Sequence, residues 1–202
     1  MPPESWSATY LEAAGSFAEL VASLPAALTG PGLGEWDLRA LVGHTTRSLV
    51  TVVEYLQRPA DAAVLDSPAA YVAAAAELVA ADPAAVTQRG VAAGEALGAD
   101  PAAYVRGLVD TVTADLGAAD PDQLVTTIAG GMRLRDYLPT RSFELVVHGL
   151  DIAAAVPARW TPPAAALRTA VEVAGEVALL RGDGALLLRL VTGREPGGIS
   201  IV

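Results

Sequence analysis

Proline follows a helix-capping residue at Ser67-Pro68, Asp82-Pro83, Asp100-Pro101 and Asp120-Pro121, and this punctuation restricts the fold more than any other feature of the chain. Asp and Ser accept hydrogen bonds from the free amides of a helix start, and proline is tolerated at the first helical position because its missing N–H has no partner there anyway. Each pair is therefore expected to open a helix. The intervening segments are rich in alanine, and their dominant apolar period is helical.

Ahead of these pairs, Tyr10, Ala13, Phe17, Leu20, Val21 and Leu24 follow i, i+3, i+4 spacing and predict an amphipathic helix from about Ser7 to Leu24. Thr29-Gly-Pro-Gly-Leu-Gly34 breaks it, and Asp37 then caps a second helix to about Leu56, with Leu41, His44, Ser48, Val52 and Tyr55 on its inner stripe. Further helices are expected near 67–81, 83–97 and 101–116. The β-branched stretch around Gly130-Gly131 predicts a short hairpin or extended excursion over 124–134. A helix from about Asp136 to Val156 follows, with Pro139 expected inside its first turn. Trp160-Thr-Pro-Pro163 starts another to about Arg181, and Gly182-Asp-Gly184 separates it from a short apolar helix through Val191. The apolar terminal tetrapeptide, residues 199–202, is expected as an edge strand.

A chain of 202 residues needs no disulfide to bury a core, and it has no cysteine. That excludes disulfides, thiolate metal sites and a cysteine nucleophile, so any thiol chemistry must use a thiol from solution. Alanine supplies much of the mean hydropathy of +0.41, and no stretch approaches the ~18 uncharged apolar residues of a spanning helix. No signal-peptide pattern opens the sequence, so a soluble cytoplasmic protein is expected. All 13 bases are arginine, and with 23 acids the net charge is −10. Such a surface repels phosphate backbones, which argues against nucleic acid as a partner; neither does anything point to a membrane. Exposed alanine faces leave a homodimer open.

His44 and His148 are the only histidines. Glu144 and His148, at i and i+4, share one helix face, where a carboxylate and an imidazole can meet on one cation or simply form a weak ion pair. His44, on a different helix, is the sole candidate for a third ligand. Three protein ligands with an open position describe a catalytic zinc-type site, whereas structural sites fill four.

The run Gly34-Glu-Trp36-Asp-Leu-Arg-Ala-Leu-Val-Gly-His44 resembles the start of the second helix in the DinB-like metalloprotein superfamily. Arg141-Ser-Phe-Glu144-Leu-Val-Val-His148-Gly-Leu-Asp151-Ile-Ala resembles the signature of the branch related to the N-terminal domain of mycothiol-dependent maleylpyruvate isomerase, and Leu186-Leu-Leu-Arg-Leu-Val-Thr-Gly-Arg194 is similar to that branch's tail. The resemblance implies an all-α fold built on an antiparallel four-helix bundle, with the metal-binding bundle over residues 1–158 and a helical extension over 159–202 packed on it in a single domain. It implies a divalent metal, zinc before nickel or iron, held by His44, Glu144 and His148. It also implies a low-molecular-weight thiol such as mycothiol as cosubstrate, transferred to or isomerising a small electrophile. The full-length isomerase has a further C-terminal domain that does not fit in this length, so maleylpyruvate isomerisation itself is not expected. Arg141 is a candidate either for a substrate carboxylate or for an ion pair with Glu144 or Asp151. Asp151 is a candidate to accept the second ring N–H of His148 or to pair with an arginine. Ser48 and Thr51 are expected to face the same pocket. The alternatives to a thiol transferase or isomerase are a non-catalytic binding or oligomerisation module stabilised by metal, and a hydrolase using metal-activated water.

Overall fold

The computed structural model describes residues 6–198 and 200. Eight helices follow in the order α1 (Ala8–Ser23), α2 (Leu38–Leu56), α3 (Pro68–Ala81), α4 (Pro83–Ala96), α5 (Pro101–Ala118), α6 (Leu134–Ala155), α7 (Ala164–Leu180) and α8 (Gly184–Val191), with strands β1 (Leu124–Thr127) and β2 (Gly130–Arg133) between α5 and α6. The fold is all-α, an antiparallel four-helix bundle with extra short helices and a hairpin. α1 packs on α5 and α6, and α2 packs on the same two helices. Tyr10, Phe17, Leu41, Leu49, Val105, Val112, Leu138 and Leu145 fill the space between them. Tyr10 donates its hydroxyl to the Ser48 carbonyl at 3.0 Å, joining α1 to α2 across this core.

The capping chemistry holds at most of the expected places. Asp37, Ser67, Asp82 and Asp100 accept from the amides of Ala40, Ala70, Ala85 and Ala103 at 2.7, 3.2, 3.0 and 2.9 Å. Asp120-Pro121 behaves differently and opens no helix. The Asp120 carboxylate and carbonyl accept from Asp122 and Gln123, closing a turn that leads into β1. The β-branched residues that follow carry no helical stripe to continue.

In the hairpin Leu124 pairs with Arg133 and Thr127 with Gly130, whose φ of +128° suits glycine alone at the turn. Its other edge holds the connection after α2, through Thr126 N–H to Arg58 O at 2.7 Å and Ala60 N–H to Leu124 O at 3.1 Å. β2 runs straight into α6, which therefore starts at Leu134 rather than Asp136. Leu134 and Arg135 donate to the Gln123 and Pro121 carbonyls, so the loop satisfies the first helical amides. Pro139 consequently lies in the second turn, inside the helix, and not in the first turn as its chemistry suggested; the Arg135 carbonyl loses its intrahelical partner there.

α4 lies along α2, and glycines permit the approach, since a Cβ on Gly43 would collide with the backbone of Ala93 and Gly94. α7 packs on α6, α3 and α1, burying Ala166, Ala170, Val173 and Val177. Trp160, just before it, rests on Gly149 of α6 and donates to the Ser16 hydroxyl of α1 at 3.1 Å. α8 touches α7 and buries none of its residues. Of the terminal tetrapeptide expected as a strand, residues 199, 201 and 202 lie outside the described residues. No single described helix is long and apolar enough to cross a membrane; α3 and α4 pass such a test only as a pair, bent by 102°.

Candidate metal centre and its cavity

Asp37 fixes the first turn of α2, and seven residues later His44 projects from the stripe that faces α6. On α6 the i, i+4 spacing puts Glu144 and His148 one above the other on the opposing face. The two elements bring one ligand atom from each of His44, Glu144 and His148 within 4.8 Å of one another. Ligands about 2.0–2.2 Å from a tetrahedral zinc are themselves about 3.4 Å apart, so side-chain adjustment alone would close this set on an ion. The two imidazole rings stand edge to face, with centroids 5.0 Å apart at 83°.

The charges around the triad differ sharply. Burial pulls the His44 imidazole down to about 4, helped by the like charge of His148, so it is neutral with a free lone pair at physiological pH. Burial also opposes ionisation of Glu144, but the hydrogen bond and charge of His148, with Arg141, outweigh it and hold the carboxyl at about 2. For His148 the depressing effect of burial is overcome by hydrogen bonds to Asp151 and Glu144, which raise it to about 9. Its Nε2 lies 3.2 Å from Glu144 Oε2, and its Nδ1 lies 3.0 Å from Asp151 Oδ2.

This carboxylate–imidazole–carboxylate row satisfies His148 on both nitrogens without a cation. It does nothing for His44, whose Nδ1 is buried and has no hydrogen-bond partner among the described residues. An unsatisfied buried nitrogen is costly, and a neutral imidazole beside a deprotonated carboxylate and a second imidazole is a donor set suited to zinc, nickel or iron rather than magnesium or calcium. The residues present therefore fit a divalent transition metal.

The triad forms one wall of a cavity of about 280 Å³ between α2, α3, α4 and α6, with Ile128 of the hairpin also in its lining. Ser48 and Thr51 line it, as does Arg141. The Thr51 hydroxyl is already engaged, accepting from Tyr137 at 2.8 Å and donating to the Arg47 carbonyl at 2.8 Å. Arg141 pairs with neither Glu144 nor Asp151; its guanidinium lies over the rings of Tyr137 and Tyr71, 4.9 and 5.2 Å from their centroids.

Several lining residues are not evident from the triad's spacing. Trp36 lies 4.4 Å, ring to ring, from His44, and its Nε1 donates to the Thr87 carbonyl of α4 at 3.1 Å, tying α4 to the site. Gly90 gives that ring room. Arg47, one turn after His44, could have been found by helical periodicity, as could Tyr137, which lies beneath Arg141 without lining the cavity; Tyr71 and Arg89 carry no local signal. Residues 10–153 match the family described as the mycothiol maleylpyruvate isomerase N-terminal domain. No match was found among curated proteins or solved structures. That match spans most of the chain, including all three residues of the triad, and the protein belongs to the mycothiol maleylpyruvate isomerase N-terminal domain family, a DinB-like domain.

Proposed function

We propose that the protein is a divalent-metal-dependent enzyme that activates a low-molecular-weight thiol for transfer to, or isomerisation of, a small electrophile. The observation that carries this reading is the buried, unpartnered Nδ1 of His44 beside the Glu144–His148 pair, at the wall of a cavity large enough for a small molecule. His44, Glu144 and His148 hold the cation, most suitably zinc. A cation bound there supplies the Lewis acidity by which a thiol ionises well below its free pKa of ~8.5.

The chain's own residues do the rest. Asp151 accepts from His148 Nδ1–H and so presents Nε2 to the centre in the correct tautomer. Trp36 packs its ring against that of His44. Phe143, Val72 and Val147 add apolar surface to the cavity lining, which suits the methylene groups of a thiol better than it suits water. With no cysteine in the chain, the thiol comes from solution, and mycothiol is the family's choice. This reading places the protein in the reducing cytoplasm, where such a thiol stays reduced.

Metal analysis of the purified protein, combined with a thiol-consumption assay against a panel of electrophiles, tests the proposal. One equivalent of metal is expected in the wild type and none in His44→Ala or His148→Ala, with helix content largely retained. Equal metal in all three would remove the ligand set, and turnover without added thiol would replace the thiol reading with metal-activated water.

A further inference from the structure

The molecule carries ten net negative charges, yet its cavity is lined by Arg47, Arg89 and Arg141 against a single carboxylate, Glu144. None of the three arginines has an acidic partner within 4 Å among the described residues. Arg141 is the extreme case, since it is 8% exposed. A buried guanidinium normally finds a carboxylate, because leaving a desolvated cation unpaired is expensive. Here its Nε donates to Thr140 Oγ1 at 3.0 Å, and Tyr71 and Tyr137 contact it as ring faces. Nε is the one nitrogen of this guanidinium with a hydrogen-bond partner among the described residues, and neither terminal nitrogen is sealed off from the cavity that Arg141 borders.

We infer that Arg141 is the receptor for a carboxylate on the electrophilic acceptor. The inference rests on the proposed function only in taking this cavity as the acceptor's site. With Nε engaged by Thr140, the guanidinium offers one edge of two parallel N–H donors, which matches the two oxygens of a carboxylate. A phosphate dianion would bring a second charge and a third oxygen, which the two parallel donors of one guanidinium edge do not match. The aromatic contacts hold the fork in place before the acceptor arrives, so little side-chain entropy is lost on binding. Arg89 and Arg47 add a positive field that draws an anion into a molecule whose overall charge repels it.

The test uses full-length protein stripped of metal by chelator and then desalted, so that a carboxylate cannot bind a metal ion instead. Benzoate, its uncharged isostere benzamide, and phenyl phosphate are titrated while the Arg141 Nε–H resonance is followed by NMR. Benzoate is expected to shift that resonance saturably and benzamide to leave it unmoved. Arg141→Lys, which keeps the charge but not the paired donors and is titrated by calorimetry beside the wild type because it lacks that resonance, should weaken benzoate by at least about tenfold. Should this variant fail to fold, the wild-type resonance with the three probes still decides. Equal response to benzoate and benzamide, tighter binding of phenyl phosphate, or undiminished affinity in Arg141→Lys would overturn the inference. Because no metal or thiol is present, benzoate binding without thiol turnover would sink the thiol reading alone, and thiol turnover without benzoate binding would sink this one alone.

Discussion

Single residues set the protonation pattern of the centre, and the metal-free protein should report it through stability. His44 is held at about 4 against its ordinary 6.5, so the unfolded state binds the proton more readily; its contribution is complete above pH 6.5 and is lost as pH falls toward 4. His148, held at about 9 against 6.5, acts in the opposite sense, contributing fully below pH 6.5 and losing its effect as pH rises through 9. Glu144, at about 2 against 4.5, adds a further loss as pH falls below 4.5. Urea midpoints of the chelator-treated protein should therefore peak near pH 6.5. His148→Ala should flatten the alkaline limb, and a flat profile in the wild type would contradict the geometry of the triad. Asp151→Asn tests the other end of the row: metal affinity should drop by about 10- to 100-fold in a competition assay while the folded state persists. Unchanged affinity would mean that Asp151 has no hold on His148.

At the level of elements, the site depends on how closely α4 is seated on α2. Because a methyl on Gly43 meets backbone rather than a movable side chain, Gly43→Ala should cost about 1–3 kcal/mol in denaturant unfolding and should also disturb the Trp36–Thr87 tie. A neutral outcome would show that α4 sits more loosely than described. The facing halves of α3 and α4 are less firmly held. α3 buries Ala69, Tyr71 and Val72 near its start, and α4 buries Gly90 and Gly94 near its end, while Leu78 and Val79 at the cavity rim are exposed. Few buried contacts mean low local stability. Amide exchange over residues 75–88 should outpace that of α2 and α6, and equal protection in all of them would refute this.

Across the whole molecule, α7 is not a detachable appendage in its packing. Val173 and Val177 are buried against the bundle, and Trp160 is wedged between α6 and α1. Ending the chain after residue 158 should expose the apolar faces of α6 and α1 and lower the melting temperature or cause aggregation; a truncated protein as stable as the full chain would make residues 159–202 a separate unit. Most helix starts were legible in the sequence because capping is local chemistry between residues three apart, as at Asp37, Ser67, Asp82 and Asp100. Asp120-Pro121 shows the limit, since the same dipeptide closes a turn when no helical stripe follows. Pro139 shows another, because the start of α6 was decided by carbonyls of Pro121 and Gln123 that the helix meets only after the hairpin folds back.

The candidate site divides along the same line. By itself the sequence determined that Glu144 and His148 share a helix face, that Asp151 stands three residues beyond, and that His44 is the remaining imidazole, since helical geometry fixes neighbours at i+3 and i+4. Only the tertiary structure decided that His44 reaches them across two helices, that Trp36 lies against it, and that Tyr71 covers Arg141, which has no acidic partner among the described residues. Those contacts join residues on different elements. They depend on crossing geometry and on glycine-permitted close approach, and no local periodicity encodes either.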